Sequence, residues 1–256
     1  MTALEALILG VVQGLTEFLP VSSSAHLVMV EELLGANEPG IAFDVLVHGA
    51  TLLAVLVYFR RRIVWLVRDR SWSYAGKIVV GTIPAGVVGL LFESKLESTF
   101  SDLPLLVVTL ALTGFLLLSL DAIPEDRAEV EEPSWWLAWW VGCAQMVSIL
   151  PGISRSGSTI VTARWLRLSP APAAEFSFLL SIPALAGALV LQLGEIRSAG
   201  AGQGAAYLLG WIAAFVSGIV AIMLVFRLLA SGRFALFGWY CLAAAAAFGA
   251  WVWLRP

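Results

Sequence analysis

Charge is what this 256-residue chain is short of: 13% of its residues are Asp, Glu, Lys or Arg, against 60% hydrophobic. So little polar surface cannot cover a soluble globule, and a mean hydropathy of +0.91 predicts an all-α polytopic membrane protein with the bilayer as its solvent. A basic surplus is also missing. With a net charge of -3 there is no Lys/Arg stripe to neutralise a phosphate backbone, which excludes nucleic acid as a partner. Cysteine is scarce, and Cys143 and Cys241 both lie in apolar segments without metal-ligand spacing; they read as packing residues, with no disulfide framework. The N-terminus (MTALEALILG) lacks the basic region and small-residue cleavage pattern of a removable signal peptide, so the first apolar segment is expected to be retained.

What is abundant is apolar sequence in long runs. Six are long enough to cross a hydrocarbon core, which takes about 20 helical residues: Phe43 to Phe59, Tyr74 to Phe92, Leu103 to Leu120, Ala173 to Leu193, Ala205 to Leu229 and Phe234 to Leu254. Two further regions, Leu4 to Leu34 and Trp135 to Leu166, are each split by a proline-anchored, hydroxyl-rich break, FLPVSSSAH (18 to 26) and LPGISRSGST (150 to 159). Each reads as a re-entrant helix, loop, helix. Non-helical backbone at membrane depth needs protein or a water-filled cavity to satisfy its N-H and C=O groups, so the two breaks predict a polar site between them.

The chain also repeats. At an offset of 131, Pro20 falls on Pro151, Ser23 on Ser154 and Asp44 on Glu175; at 132, Gly10 falls on Gly142 and Gln13 on Gln145. At 129, Gly81, Ile83, Ala85, Val87 and Gly89 fall on Gly210, Ile212, Ala214, Val216 and Gly218. Three ordered patches at nearly constant offset predict a duplication: residues 1–120 form the first repeat, 121–134 an acidic, solvated linker, and 135–256 the second. One re-entrant hairpin and three spans per half make an odd number of crossings, so the second repeat is expected to be inverted. Alternation then collects Arg60, Arg61, Arg62, Arg68, Arg70, Lys77, Arg127, Arg164, Arg167, Arg227 and Arg233 on one side, against Lys95, Arg197 and Arg255 on the other. The richer side, which includes the linker, is expected to be cytoplasmic. The Arg60 to Arg62 run reads as a topological anchor rather than a ligand clamp.

The fifteenth basic residue, Arg155, lies within the second break. A buried intramembrane arginine needs an anionic partner, and its planar fork suits phosphate or carboxylate. Ser154, Ser156, Gly157, Ser158 and Thr159 lead from it into an apolar helix, so free N-H groups, a helix N-terminus and hydroxyls converge as an anion cradle; helix capping explains the serines but not the arginine. In the first break, Gln13 and Glu17 share a helical face, followed by Ser22, Ser23, Ser24 and His26. A carboxylate, a hydroxyl and an imidazole suit metal binding, proton transfer or nucleophilic attack.

QGLTEFLPVSSSAH (13 to 26) and PGISRSGST (151 to 159), with FDVLVHGATLLAV (43 to 55) and EFSFLLSIPA (175 to 184), resemble the undecaprenyl pyrophosphate phosphatase family, also called bacitracin resistance proteins, over nearly the whole chain. The resemblance implies a multi-pass plasma (inner) membrane enzyme. Its substrate would be a polyprenyl pyrophosphate, converted to the monophosphate to recycle the carrier for surface glycans, with a divalent cation, Mg2+ or Ca2+. It also implies that the family's Glu/Gln-x-x-x-Glu motif falls on Gln13 and Glu17, its hydroxyl and histidine positions on Ser23, Ser24 and His26, and its second loop on Ser154, Arg155, Ser156 and Thr159. Gln13 stands where many members carry glutamate. Ala25 and the run His48-Gly49-Ala50 also depart from the pattern, outside the expected chemistry. On this reading Arg155 and the helix start at Ser156 to Thr159 hold the pyrophosphate, Glu17 with Gln13 holds the cation, and either Ser23 or His26 attacks or activates the nucleophile. The prenyl tail is expected along Leu-, Val- and Ala-rich helix surfaces, with Gly86, Gly89, Gly187 and Gly218 allowing close helix approach. The competing reading is a lipid-phosphate transporter or flippase using the same anion site, which needs neither a base nor a nucleophile. A homodimer is compatible with the sequence.

Overall fold

The computed structural model describes residues 1–34, 41–69, 71–99, 101–124, 129–192 and 204–254, the side chains of 41 and 93–98 excepted. Among the described residues the chain forms eleven α-helices: α1 Ala3–Phe18, α2 Ser23–Leu34, α3 Ile41–Tyr58, α4 Arg60–Arg68, α5 Trp72–Thr99, α6 Leu103–Leu118, α7 Trp135–Val147, α8 Arg155–Trp165, α9 Pro170–Leu191, α10 Gly204–Ala230 and α11 Leu236–Leu254. Five of them, α5, α6, α9, α10 and α11, are long and apolar enough to span a membrane. The sixth expected span differs from its prediction. Instead of ending in a loop at Arg60, α3 bends by 64° into α4, which buries only Leu66. Arg62 there donates to Glu175 of α9 at 2.9 Å and lies over the rings of Trp65 and Tyr74, so one of the anchor arginines also clips two helices together.

Both predicted breaks are present. A capping box opens α1, with Thr2 Oγ1 accepting from Glu5 N and Glu5 Oε2 from Thr2 N. The helix stops at Leu19, which is driven to an extended conformation (ψ 144°) by the proline that follows it. In the second region α7 is capped by Ser134 and ends before Pro151, and the turn passes through Gly152 at φ 89°. An added Cβ at Gly152 would lie 2.0 Å from Thr109 Oγ1, so both backbone conformation and space demand glycine there. With 16, 12, 13 and 11 residues, α1, α2, α7 and α8 are each too short to span.

The ends of the predicted spans shift locally. α5 runs on to Thr99 after a non-helical Phe92, taking up most of the loop predicted at 93–102. The predicted end of the fourth span at Leu193, most of the loop 195–204 and the basic residues Arg70, Arg127, Arg197 and Arg255 lie outside the described residues. The acidic linker is less free than its composition suggested. Val130 pairs through its backbone with Arg167 and Ser169, Glu129 binds Arg164, and Glu131 accepts from Ser169 Oγ.

Helix packing is reciprocal between the halves: α1 lies along α10, α7 along α5, and α6 along α11. Small residues make the closest approaches. A Cβ on Gly10 would come within 2.2 Å of Gly210 O, and one on Gly142 within 2.3 Å of Gly81 O. Lipid tails are as apolar as the helices, so such backbone-to-backbone contact, rather than a hydrophobic drive, is what holds membrane helices together. Of the four glycines expected to allow close approach, only Gly218 does so, against Phe18 and Ala54; Gly86, Gly89 and Gly187 face open space.

Candidate active site

The two breaks meet inside the helix bundle, and each supplies what the other lacks. Glu17, at the end of α1, receives three hydrogen bonds: Gln13 Nε2 at 3.1 Å, Ser23 Oγ at 3.0 Å and Arg155 Nη2 at 2.7 Å. Its side chain is 7% exposed and that of Arg155 15%, so the pair is largely withdrawn from solvent, and each ion compensates the other's lost hydration. The second guanidinium nitrogen, Arg155 Nη1, is buried without a partner, as is Gln13 Oε1. A buried donor without an acceptor costs about 1–3 kcal/mol, so Nη1 marks a position where an anion would be stabilised.

His26, one turn after Ser23 on α2, has both ring nitrogens engaged. Nδ1 lies 2.8 Å from Ser22 O and Nε2 2.8 Å from the hydroxyl of Tyr240 on α11. Ser22 adopts φ 67°, a left-handed conformation unusual for serine.

The remaining predicted residues hold the loops in shape. Ser154 Oγ accepts from Gly157 N as an N-cap, Ser156 Oγ donates to Leu19 O, and Thr159 Oγ1 lies 2.5 Å from Ser177 Oγ. Ser24 Oγ accepts from Gly152 N, tying the first loop to the second. Cradle and cap are therefore combined: the serines shape the turn and Arg155 faces the site.

Three residues escaped the sequence reading. His48, which the sequence pattern leaves outside the chemistry, has its Nε2 3.9 Å from Glu17 Oε2, while Nδ1 is 2.7 Å from the carbonyl of Asp44. Its position one helical turn after Asp44, like Glu17 after Gln13, was the available signal. Thr113 accepts from Ser154 N and donates to Gly152 O, and Tyr240 binds His26. Neither carries a local pattern, because both act across the fold.

Among the described residues, no three His, Cys, Asp or Glu side chains gather as a metal cage. The available donors are the Glu17 carboxylate, the unpartnered amide oxygen of Gln13 and the Ser23 hydroxyl. They suit a hard cation such as Mg2+, which keeps several waters and binds through one or two carboxylates plus substrate phosphates.

Residues 6–247 match the family model of the bacitracin resistance protein BacA. The chain is 39% identical, over the full length of both, to an undecaprenyl-diphosphatase of Geobacter sulfurreducens. It is 38% identical to that of Desulforapulum autotrophicum, with 93% of this chain and 94% of the relative covered. Against the Methanococcus maripaludis protein of the same name the identity is 36%, with 94% and 97% covered. By the extent of the match and the level of identity, the chain belongs to the bacitracin resistance protein BacA family.

Proposed function

We propose that the protein is a membrane-embedded phosphatase that converts undecaprenyl pyrophosphate to the monophosphate plus inorganic phosphate, recycling the lipid carrier for cell-wall or surface-glycan synthesis and conferring bacitracin resistance. The names of its relatives support this substrate. The observation that carries the reading is Arg155: its guanidinium has Nη2 on Glu17 and Nη1 buried without a partner.

Pyrophosphate competes with Glu17 for the fork of Arg155. Its binding satisfies Nη1 and leaves the carboxylate beside Ser23. Ser154, Ser156, Thr159 and the positive end of α8 complete the cradle with Ser24, and their fixed dipoles oppose the charge that builds up as phosphate transfers. The geometry favours Ser23 over His26 as nucleophile, because the Ser23 hydroxyl already donates to Glu17; His26, one turn further along α2, is left to activate the water of the second step through Nε2. Ser23 Oγ attacks the terminal phosphorus, its proton passes to Glu17, and the bridging P-O bond breaks to release the lipid monophosphate. Water then cleaves the phosphoserine, returning the hydroxyl and releasing phosphate. Glu17 and Gln13 would hold Mg2+ or Ca2+, which would neutralise charge on the pyrophosphate.

The halves 1–120 and 135–256 are read as an inverted repeat whose two short helix pairs are re-entrant, in the plasma membrane with the linker 121–134 on the cytoplasmic side. The reciprocal packing of α1 on α10 and α7 on α5 supports this reading, as does the distribution of Lys and Arg. A transporter or flippase is the second reading, favoured by the paired breaks.

The test is phosphate release from long-chain prenyl pyrophosphate by purified protein in detergent, with and without Mg2+ or Ca2+. Metal-dependent release that is lost in Ser23→Ala and Glu17→Gln is expected. Folded wild type that releases none, yet moves the lipid across vesicles, would establish the transporter instead.

A further inference from the structure

His26 is held from two sides by groups that no local motif predicts. On one side, the left-handed backbone of Ser22 (φ 67°) turns its carbonyl onto the Nδ1 of His26 at 2.8 Å. A carbonyl can only accept, so Nδ1 carries the proton, and the neutral ring presents a lone pair at Nε2. On the other side, that lone pair meets the hydroxyl of Tyr240 at 2.8 Å, with the two rings nearly parallel and 5.6 Å apart. A non-glycine residue in this conformation stores strain, which persists where the surrounding structure requires it. Here it aims the carbonyl.

Tyr240 occupies a meaningful place. At the offset of 131 that relates Pro20 to Pro151, Thr109 falls on Tyr240. Thr109, on α6, supports the second break by donating to Pro151 O; the residue after Tyr240, Cys241, donates through Sγ to Pro20 O at 3.8 Å. Thus α6 braces the second break and α11 the first, and the tyrosine ring extends that brace to the imidazole.

We propose that Tyr240 is a positioning residue of the active site: with the strained carbonyl of Ser22 it clamps His26, one turn after Ser23 on α2, in one tautomer and one orientation. This deepens the phosphatase reading and rests on it. A phenol is the right partner because it donates to Nε2 when His26 is neutral and accepts when Nε2 is protonated, so the ring keeps its place in either state. Phenylalanine would keep the ring contact and lose only this.

Two histidines in the chain make the clamp visible. Protein labelled with 15N-histidine gives two imidazole spin systems in detergent, and His48→Gln identifies that of His26. Wild type should show a protonated Nδ1 and a hydrogen-bonded Nε2, and Tyr240→Phe should shift Nε2 toward the value of a free pyridine-type nitrogen. With Tyr240→Phe, kcat for phosphate release should fall about tenfold, the scale of one lost hydrogen bond, and KM should stay within about twofold. An unmoved Nε2, an unchanged kcat, or a loss confined to KM would each overturn the proposal. Absence of phosphate release from wild type would instead sink the phosphatase reading, and the nitrogen shift would then decide the clamp alone.

Discussion

In the second break the exposed backbone is satisfied by two threonines one turn apart on α6: Thr109 donates to Pro151 O, and Thr113 bridges Gly152 O and Ser154 N. In the first break the corresponding carbonyls are taken by groups belonging to the site or its neighbours, with Ser156 on Leu19 O, Cys241 on Pro20 O and His26 on Ser22 O. Both breaks obey the same requirement, that non-helical backbone in a membrane be satisfied by protein. They differ in what is left over. The second break, supported by α6, frees Arg155 to face inward; the first, supported by Ser156, Cys241 and its own His26, keeps a carboxylate and a hydroxyl for the site. One loop carries the cation of the site and the other the anion.

The same contrast runs through the two buried glutamines. Gln13 donates to Glu17 one turn later, whereas Gln145, its counterpart at an offset of 132, has Ile149 at that position and both amide atoms without partners. Similar backbones have been given unequal chemistry, so equivalent substitutions in the two halves should have unequal effects.

The largest effect should come from the charge that separates the loops. Arg155→Met is expected to lower phosphate release on the order of 10^3-fold, the scale for removing a preorganised transition-state donor; release within tenfold of wild type would show that the cradle does not depend on Arg155. Next comes the support of the second break. Thr113→Val orphans Gly152 O and Ser154 N at about 1–3 kcal/mol each, and thermal unfolding in detergent should show the loss as a lower midpoint. Close packing of the halves should respond on a similar scale: Gly142→Ala drives a Cβ to 2.3 Å from Gly81 O and should cost about 1–3 kcal/mol in the same assay. The glutamine pair sharpens the comparison most with the smallest change. Gln13→Leu should raise the Mg2+ concentration needed for half-maximal release by about 10-fold or more, whereas Gln145→Leu, which removes an unsatisfied buried amide, should be neutral or stabilising by about 1 kcal/mol. Equal responses at the two positions would erase the distinction between the loops.

Much of this protein follows from its sequence alone. Apolar length sets the membrane class and five of the spans, because a helix must satisfy its backbone across a fixed thickness of hydrocarbon. Proline and its restricted predecessor set both breaks. The cost of burying Arg155 without an anion marks the site from sequence alone. What escaped were relations across the fold. The α3 to α4 bend, the docking of Glu129 and Val130 on the α8–α9 turn, the entry of His48 into the site and the clamping of His26 by Tyr240 depend on which helix faces which. His48 and Glu17 are 31 residues apart, and His26 and Tyr240 are separated by 214. Local periodicity determines that such residues lie on helices. Only packing, held by the close approaches of Gly10 to Gly210 and Gly81 to Gly142, brings their side chains together.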